Sequence, residues 1–121
     1  MENPGSAITP GMSFNLTKEE LLEFQEKSQE GDAEASKKLW LFYDFAVRDR
    51  VKAVEWLEKA AQQGLTVAQY NLAVGLSRRG SPQYDLQKAK YWATMAANKG
   101  EKMAIRLLQE IKQLEEPRDS K

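Results

Sequence analysis

The chain has 121 residues, 41% of them apolar and 30% charged, and its 18 basic side chains are balanced by 18 acidic ones. This length allows one domain, and the composition is typical of a soluble globular protein. Because a neutral chain lacks the broad basic field that attracts nucleic acids, we predict no nucleic-acid partner.

Histidine and cysteine are both absent from the sequence. The most common general base, the most common zinc ligand and any disulfide bond are therefore missing. Carboxylate pairs such as Glu55 with Glu58 are expected on solvated helix faces rather than in a catalytic site. We predict no catalytic residues, no metal site and no cofactor, and an enzyme is only a remote alternative.

Six helices are predicted, and no strand is predicted because no segment alternates with period two over a useful length. Thr17 and Glu20 fit a capping box at the start of the first helix, and Gly31 favours the left-handed turn that ends it. Asp32 and Thr66 are predicted to cap the second and fourth helices. The helices are expected at residues 17–30, 32–46, 49–63, 66–79, 85–99 and 101–116.

The segments outside these helices are short. Residues 1–15 are interpreted as a flexible tether and residues 117–121 as a polar tail. The stretch 75–80 lacks the Lys-Ser/Thr pair of a phosphate-binding loop. Its Arg78 and Arg79 are interpreted as cations that favour the C-terminus of the fourth helix.

A pattern of small and aromatic residues occurs twice, 36 positions apart, from Lys52 to Gly64 and from Lys88 to Gly100. Gly31 stands 33 positions before Gly64 and is followed by alanine and leucine at the same spacings, which adds a third copy. A fixed period in this range indicates stacked repeats. The structural positions of the repeat are Ala53, Trp56, Ala60, Ala61, Gly64, Ala68, Leu72, Ala89, Trp92, Ala96, Ala97, Gly100, Ala104 and Leu108.

The motif Lys-Ala-x-x-Trp-Leu-x-x-Ala-Ala-x-x-Gly-x-x-x-Ala-x-x-x-Leu over residues 52–72 resembles the Sel1-like repeat (SLR), a relative of the tetratricopeptide repeat. The resemblance covers residues 49–111 well and residues 17–47 loosely. It implies an all-α, right-handed solenoid of about three helix pairs. The repeat domain is expected at residues 16–116, with units at about 17–47, 49–79 and 85–116.

The resemblance also implies a function without catalysis. Such solenoids present a concave surface, built from the first helix of each pair, to a partner protein. We therefore expect an adaptor or scaffold, and the alternative is a bacterial immunity protein that neutralises a secreted toxin or effector. No signal peptide and no membrane span are visible, and the compartment is not predicted beyond two alternatives, the bacterial cytoplasm or periplasm. The partner and the oligomeric state are not predicted.

The first repeat departs from the pattern. Glu23 stands at the tryptophan position, and Lys27 and Ser28 stand where later units have paired alanines. A terminal repeat with one side toward water explains this divergence. Trp40 occupies the position of Ala73 in the second unit, so we expect less regular packing between the first two units.

Two groups of residues are candidates for partner binding. Tyr91 and Met95 stand four apart on the expected groove, where the second unit has Glu55 and Lys59, and Lys88 flanks them. They either anchor a partner or cover a neighbouring helix.

The second group is the aromatic cluster of Trp40, Phe42, Tyr43 and Phe45. The cluster is either a buried helix or an exposed anchor. At least one of its rings is expected outside the core, because four aromatic residues in six positions point in several directions around a helix.

Overall fold

The computed structural model describes residues 14–115, and this part of the chain contains six α-helices and no strands. Consecutive helices pack against one another, and the fourth also contacts the sixth, as in the expected all-α solenoid. The predicted tail and most of the predicted tether lie outside the described residues. The helices are α1 (Lys18–Gln29), α2 (Ala33–Leu41), α3 (Arg50–Gln62), α4 (Thr66–Leu76), α5 (Leu86–Asn98) and α6 (Lys102–Glu115).

Side chains cap the first two helices as predicted. The Thr17 hydroxyl accepts a hydrogen bond from the Glu20 amide, and the Glu20 carboxylate accepts one from the Thr17 amide, both at 3.0 Å. Asp32 accepts bonds from two amides at the start of α2. The prediction for Thr66 was wrong, because Thr66 is the first helical residue and the capping position belongs to Leu65. Leu65 makes no side-chain capping bond and instead packs against the core.

The three repeat glycines make the same turn. Gly31, Gly64 and Gly100 have φ angles of 102°, 98° and 90°, which glycine adopts without steric cost. After each glycine, the next amide donates to a carbonyl five residues back, as in the bond of 3.1 Å from Leu65 to Ala60. This pattern of bonds is the Schellman motif. The same reversal of the chain therefore recurs between α1 and α2, α3 and α4, and α5 and α6.

The predicted second helix is not α-helical over its whole length. After Leu41 the backbone continues as a π-helical segment, Phe42–Val47, and it ends at Arg48 with φ of 66°. The Asp49 amide donates to the Tyr43 carbonyl at 2.8 Å, which closes this wider turn.

The fourth helix is also shorter than predicted. It ends at Leu76 rather than near Arg79, and turns follow over the stretch that contains Gly80 and Pro82. Proline cannot continue a helix, and Gly80 adopts a φ of 89°.

The alanines of the repeat form the contacts between helices. Ala53 and Ala60 of α3 are buried, as are Ala89 and Ala96 of α5. Small side chains let helix axes approach closely, and larger ones fill the remaining space. The last unit departs from this pattern at Ala97, which is half-buried because no helix follows α6 within the described residues.

The two motif tryptophans differ in burial. Trp92 is only 9% exposed, and the Tyr91 ring meets it edge-on with centroids 4.9 Å apart. Trp56, at the equivalent position of α3, is half-buried and packs against the edge of the core. The same motif position therefore carries different amounts of packing energy in the two units.

Polar bonds join the first unit to the second. The Ser36 hydroxyl donates to Gln63 Oε1 at 2.6 Å and lies 2.7 Å from the Ser28 hydroxyl, and both serines are buried. Gln63 Nε2 donates to the Ser28 carbonyl at 2.8 Å. At the same position of the next unit, Lys99 donates to the Gly64 carbonyl. The side chains of Gln63 and Lys99 thus each donate a hydrogen bond to a backbone carbonyl at the glycine turn of the preceding unit.

The first helix replaces apolar packing with an exposed ion pair. Lys27 Nζ lies 3.1 Å from Glu23 Oε2, at two positions where later units have alanine and tryptophan. The hydrogen bond with Glu23 raises the pKa of the Lys27 ammonium above its ordinary value of 10.5. Because both side chains face solvent, α1 has the polar outer surface of a terminal repeat.

Replacing Ala61 by leucine is expected to lower the free energy of unfolding by about 1–3 kcal/mol, because the added side chain overpacks a buried helix contact. The matched substitution Ala97→Leu is expected to cost less, since Ala97 is half-buried. Urea denaturation of both variants measures the difference. Equal losses of stability would contradict the assignment of Ala61 to a closer contact than Ala97.

The tryptophans provide a second comparison. Trp92→Ala is expected to lower the free energy of unfolding by about 3–5 kcal/mol, as for a large aromatic ring removed from a core. Trp56→Ala is expected to cost clearly less because its ring is half-buried. Thermal melts measure both variants. A Trp56→Ala variant that is no more stable than Trp92→Ala would show that the difference in burial does not determine the loss of unfolding free energy.

Candidate partner-binding surface

The first helices of the three units share a set of outward positions, which we call the ladder face. The repeat spacings of 33 and 36 residues place Leu22, Glu55 and Tyr91 at one equivalent position. The ladder face consists of Glu19, Leu22, Glu26, Lys52, Glu55, Lys59, Lys88, Tyr91 and Met95. Lys59 and Met95 are half-buried, and the other side chains of the ladder face are exposed.

Two apolar side chains on the ladder face are turned toward solvent. Leu22 on α1 is 63% exposed and Tyr91 on α5 is 56% exposed, whereas Trp92 beside Tyr91 is buried. Met95 packs against the core cluster. Of the two residues singled out from the sequence, Met95 thus serves mainly the core and Tyr91 is available at the surface.

Charge on the ladder face changes from helix to helix. Glu19 and Glu26 make the α1 part acidic, whereas Lys52 and Lys59 flank Glu55 on α3. No ion pair involves these five side chains within residues 14–115. The ladder face therefore has charges of both signs beside its apolar positions, and of these Lys52 Nζ lies 5.7 Å from the centroid of the Tyr43 ring.

The aromatic cluster divides between core and surface. Trp40 is 9% exposed and belongs to the core, which is the buried one of the two alternatives for this cluster. It is enclosed because α2 lies between α1 and α3. Phe42 is half-buried, and Phe45 is exposed, as expected for at least one ring of the cluster. The Phe45 ring lies 5.1 Å from that of Phe14.

A pocket that the sequence analysis did not predict opens where α2, the π-helical segment, α3 and α4 meet. Its inner part has a volume of about 140 Å³, and an outer part of about 300 Å³ adjoins it beside the loop after α4. The inner wall combines apolar side chains, among them Trp40 and Leu57, with polar ones, among them Asn71 and Gln83. The residues that line both parts are Arg50, Gly75, Arg78 and Gln83.

One signal in the sequence could have indicated this pocket. Gly75 lies inside α4, where glycine is unfavourable, and a Cβ atom added there would meet nothing within 4 Å. Close packing therefore does not explain this glycine.

Within residues 14–115, no group of three or more acidic side chains is arranged to hold a metal ion. None of the helices in that part of the chain is long and apolar enough to cross a lipid bilayer.

Comparison with known proteins identifies two relationships. The model of the Sel1 repeat matches residues 40–65 and 66–101. The uncharacterized protein YibG of Escherichia coli (strain K12) is 37% identical over 116 residues, which cover 93% of this chain and 76% of YibG. No solved structure matches the chain.

The matched repeats use a different frame from the predicted units. The second match, residues 66–101, combines α4 with α5, whereas the predicted unit at 49–79 combines α3 with α4. Both frames divide the same array, because every helix packs against the next one. The unit boundaries stay a prediction.

Replacing Gly75 by alanine is expected to raise the free energy of unfolding by about 0.5–1 kcal/mol, because alanine favours the helix and its Cβ meets open space. The control Gly64→Ala is expected to lower it by about 1–2 kcal/mol, since φ there is 98°. Thermal and urea denaturation measure both changes. A loss of stability in Gly75→Ala would mean that the pocket wall does not have this open space.

Proposed function

Since the chain belongs to the Sel1 repeat family, we propose that it is an adaptor or scaffold that binds a segment of a partner protein on the ladder face. Sel1 repeats are generally a non-catalytic fold for protein interaction. The observation that carries the proposal is the exposure of Leu22 and Tyr91 at one equivalent repeat position. Both occupy helices whose other sides pack within the solenoid.

The physical argument concerns the cost of exposed apolar surface. Aromatic side chains are enriched at protein interfaces and often provide most of the binding energy. Tyr91 combines a large apolar ring with a hydroxyl group, which allows it to contact water before binding and a partner afterwards. Its edge contact with Trp92 holds the ring in place, which lowers the entropy lost on binding.

The charges of the ladder face indicate the chemistry of the partner. A segment lying across α1, α3 and α5 would place a basic part over Glu19 and Glu26. Acidic side chains would lie near Lys52 and Lys59, and an apolar side chain would lie against Tyr91. Such complementary charges mainly set the orientation and the association rate, whereas the apolar anchors supply affinity.

The class of partner distinguishes the two functional hypotheses. A component of envelope or secretion machinery would support a scaffold. A secreted toxin or effector that is inactivated on binding would support the immunity alternative. Affinity capture from the native organism, followed by mass spectrometry and an activity assay of the captured protein, separates these two outcomes.

The ladder face predicts the effect of single substitutions on binding. Tyr91→Ala and Leu22→Ala are each expected to weaken binding of the identified partner by more than about 1 kcal/mol, as for central apolar anchors. The matched control is Leu114→Ala, which removes an apolar side chain that is 60% exposed and lies on α6, outside the ladder face. Isothermal titration calorimetry measures the three affinities.

Stability must be measured in parallel, because Tyr91→Ala also removes the edge contact with Trp92. This loss is expected to cost about 0.5–1.5 kcal/mol of folding free energy, so binding is measured well below the melting temperature. If Leu114→Ala weakens binding as strongly as Tyr91→Ala and Leu22→Ala do, the ladder face is not the binding surface.

A further inference from the structure

The pocket at the junction of α2, α3 and α4 exists because two packing positions of the repeat have changed. Gly75 stands 36 positions before Ile111, which is fully buried in the third unit. Arg50 stands 36 positions before Leu86, which packs against the core. The second unit thus has a glycine without a side chain and a charged arginine at the two positions where the third unit has apolar side chains in contact with the core.

The charge of the pocket is positive although the whole chain is neutral. Arg50, Arg78 and Arg79 line it, and Asp44 is the acidic residue among its lining side chains. Asp44 lies 2.8 Å from Arg50 and neutralises it. Arg78 and Arg79 form no ion pair within residues 14–115 and are exposed. Two guanidinium groups therefore remain available at the mouth of a cavity whose wall is apolar in part.

The size of the inner part limits what can enter it. A volume of about 150 Å³ accommodates a molecule of the size of benzene. The inner part, with a volume of about 140 Å³, is therefore large enough for one aromatic ring or one branched aliphatic side chain. Guanidinium groups at the mouth prefer carboxylates, which they bind with paired hydrogen bonds.

We infer that this pocket binds an acidic segment of a partner protein, with one large apolar side chain in the cavity and neighbouring carboxylates on Arg78 and Arg79. The inference rests on the proposed function in that the occupant is a protein segment. It concerns a separate surface, because the pocket lining and the ladder face share no residue. The two surfaces can therefore be tested independently.

The test uses a short synthetic peptide in which one leucine is flanked on both sides by glutamates. Titration of the ¹⁵N-labelled full-length protein, followed by amide chemical shifts, detects even weak binding and locates it. The amides of Gly75, Arg78 and Ser81 are expected to shift, and those of Leu22 and Tyr91 are expected to stay in place. A peptide with glutamines in place of the glutamates is expected to bind at least about tenfold more weakly, because it lacks the charge-assisted bonds.

Two variants separate the cavity from its mouth. Gly75→Ile introduces the side chain that the third unit has at this position. It is expected to fill the cavity and therefore to lower the affinity for the acidic peptide at least about tenfold. The double variant Arg78→Gln with Arg79→Gln keeps the cavity and is expected to remove the preference for glutamates over glutamines. Arg106→Gln on the exposed side of α6 is the matched control and is expected to change nothing.

The outcomes divide clearly. No shifts near the pocket, or equal binding of the two peptides, would overturn the inference. Unchanged binding by a folded Gly75→Ile variant would also overturn it. If Gly75→Ile fails to fold, the double arginine variant decides, since its side chains are exposed. Chemical-shift changes confined to the ladder face would overturn the inference about the pocket while supporting the proposed function. Loss of peptide binding in the Tyr91→Ala variant would have the same meaning.

Discussion

Close approach of helices at alanine positions is the constraint on which the rest of the fold depends. Ala53 and Ala60 on α3 are buried, as are Ala89 and Ala96 on α5, and a larger side chain at any of them would separate the helix axes. The left-handed glycine turns then reverse the chain in the same way three times. One type of contact is therefore copied along the array, and each copy depends on its neighbours for burial.

Within residues 14–115, the first and the last helix meet a different requirement because each is packed on one side only. At the start, Glu23 and Lys27 form an exposed ion pair where later units pack tryptophan and alanine. Behind them, Ser28 joins a buried polar network that fixes the first unit to the second. At the end, Leu108 is half-buried and Leu114 is exposed, since no further helix covers α6 within the described residues.

Both candidate binding surfaces occur where equivalent positions of the repeat differ. Tyr91 replaces Glu55 on the ladder face, and Gly75 replaces Ile111 at the pocket. The packing positions must recur, because a change at any one of them disturbs contacts on both sides. Differences between the units are therefore concentrated at outward positions and at the few packing positions where the second unit lacks an apolar side chain that the third unit has. This explains how an array of similar units acquires two unlike surfaces, one amphipathic and one basic.

The sequence by itself determined the number and order of the helices, the glycine turns and the caps at Thr17 and Asp32. These features depend on hydrogen bonds between residues a few positions apart, so a local pattern is enough to specify them. Only the tertiary structure decided that Trp92 is buried while Trp56 is half-buried, and that Gly75 opens a pocket between three helices. Burial and cavities depend on which distant segments are brought together, and two identical residues in identical motifs can therefore have different surroundings.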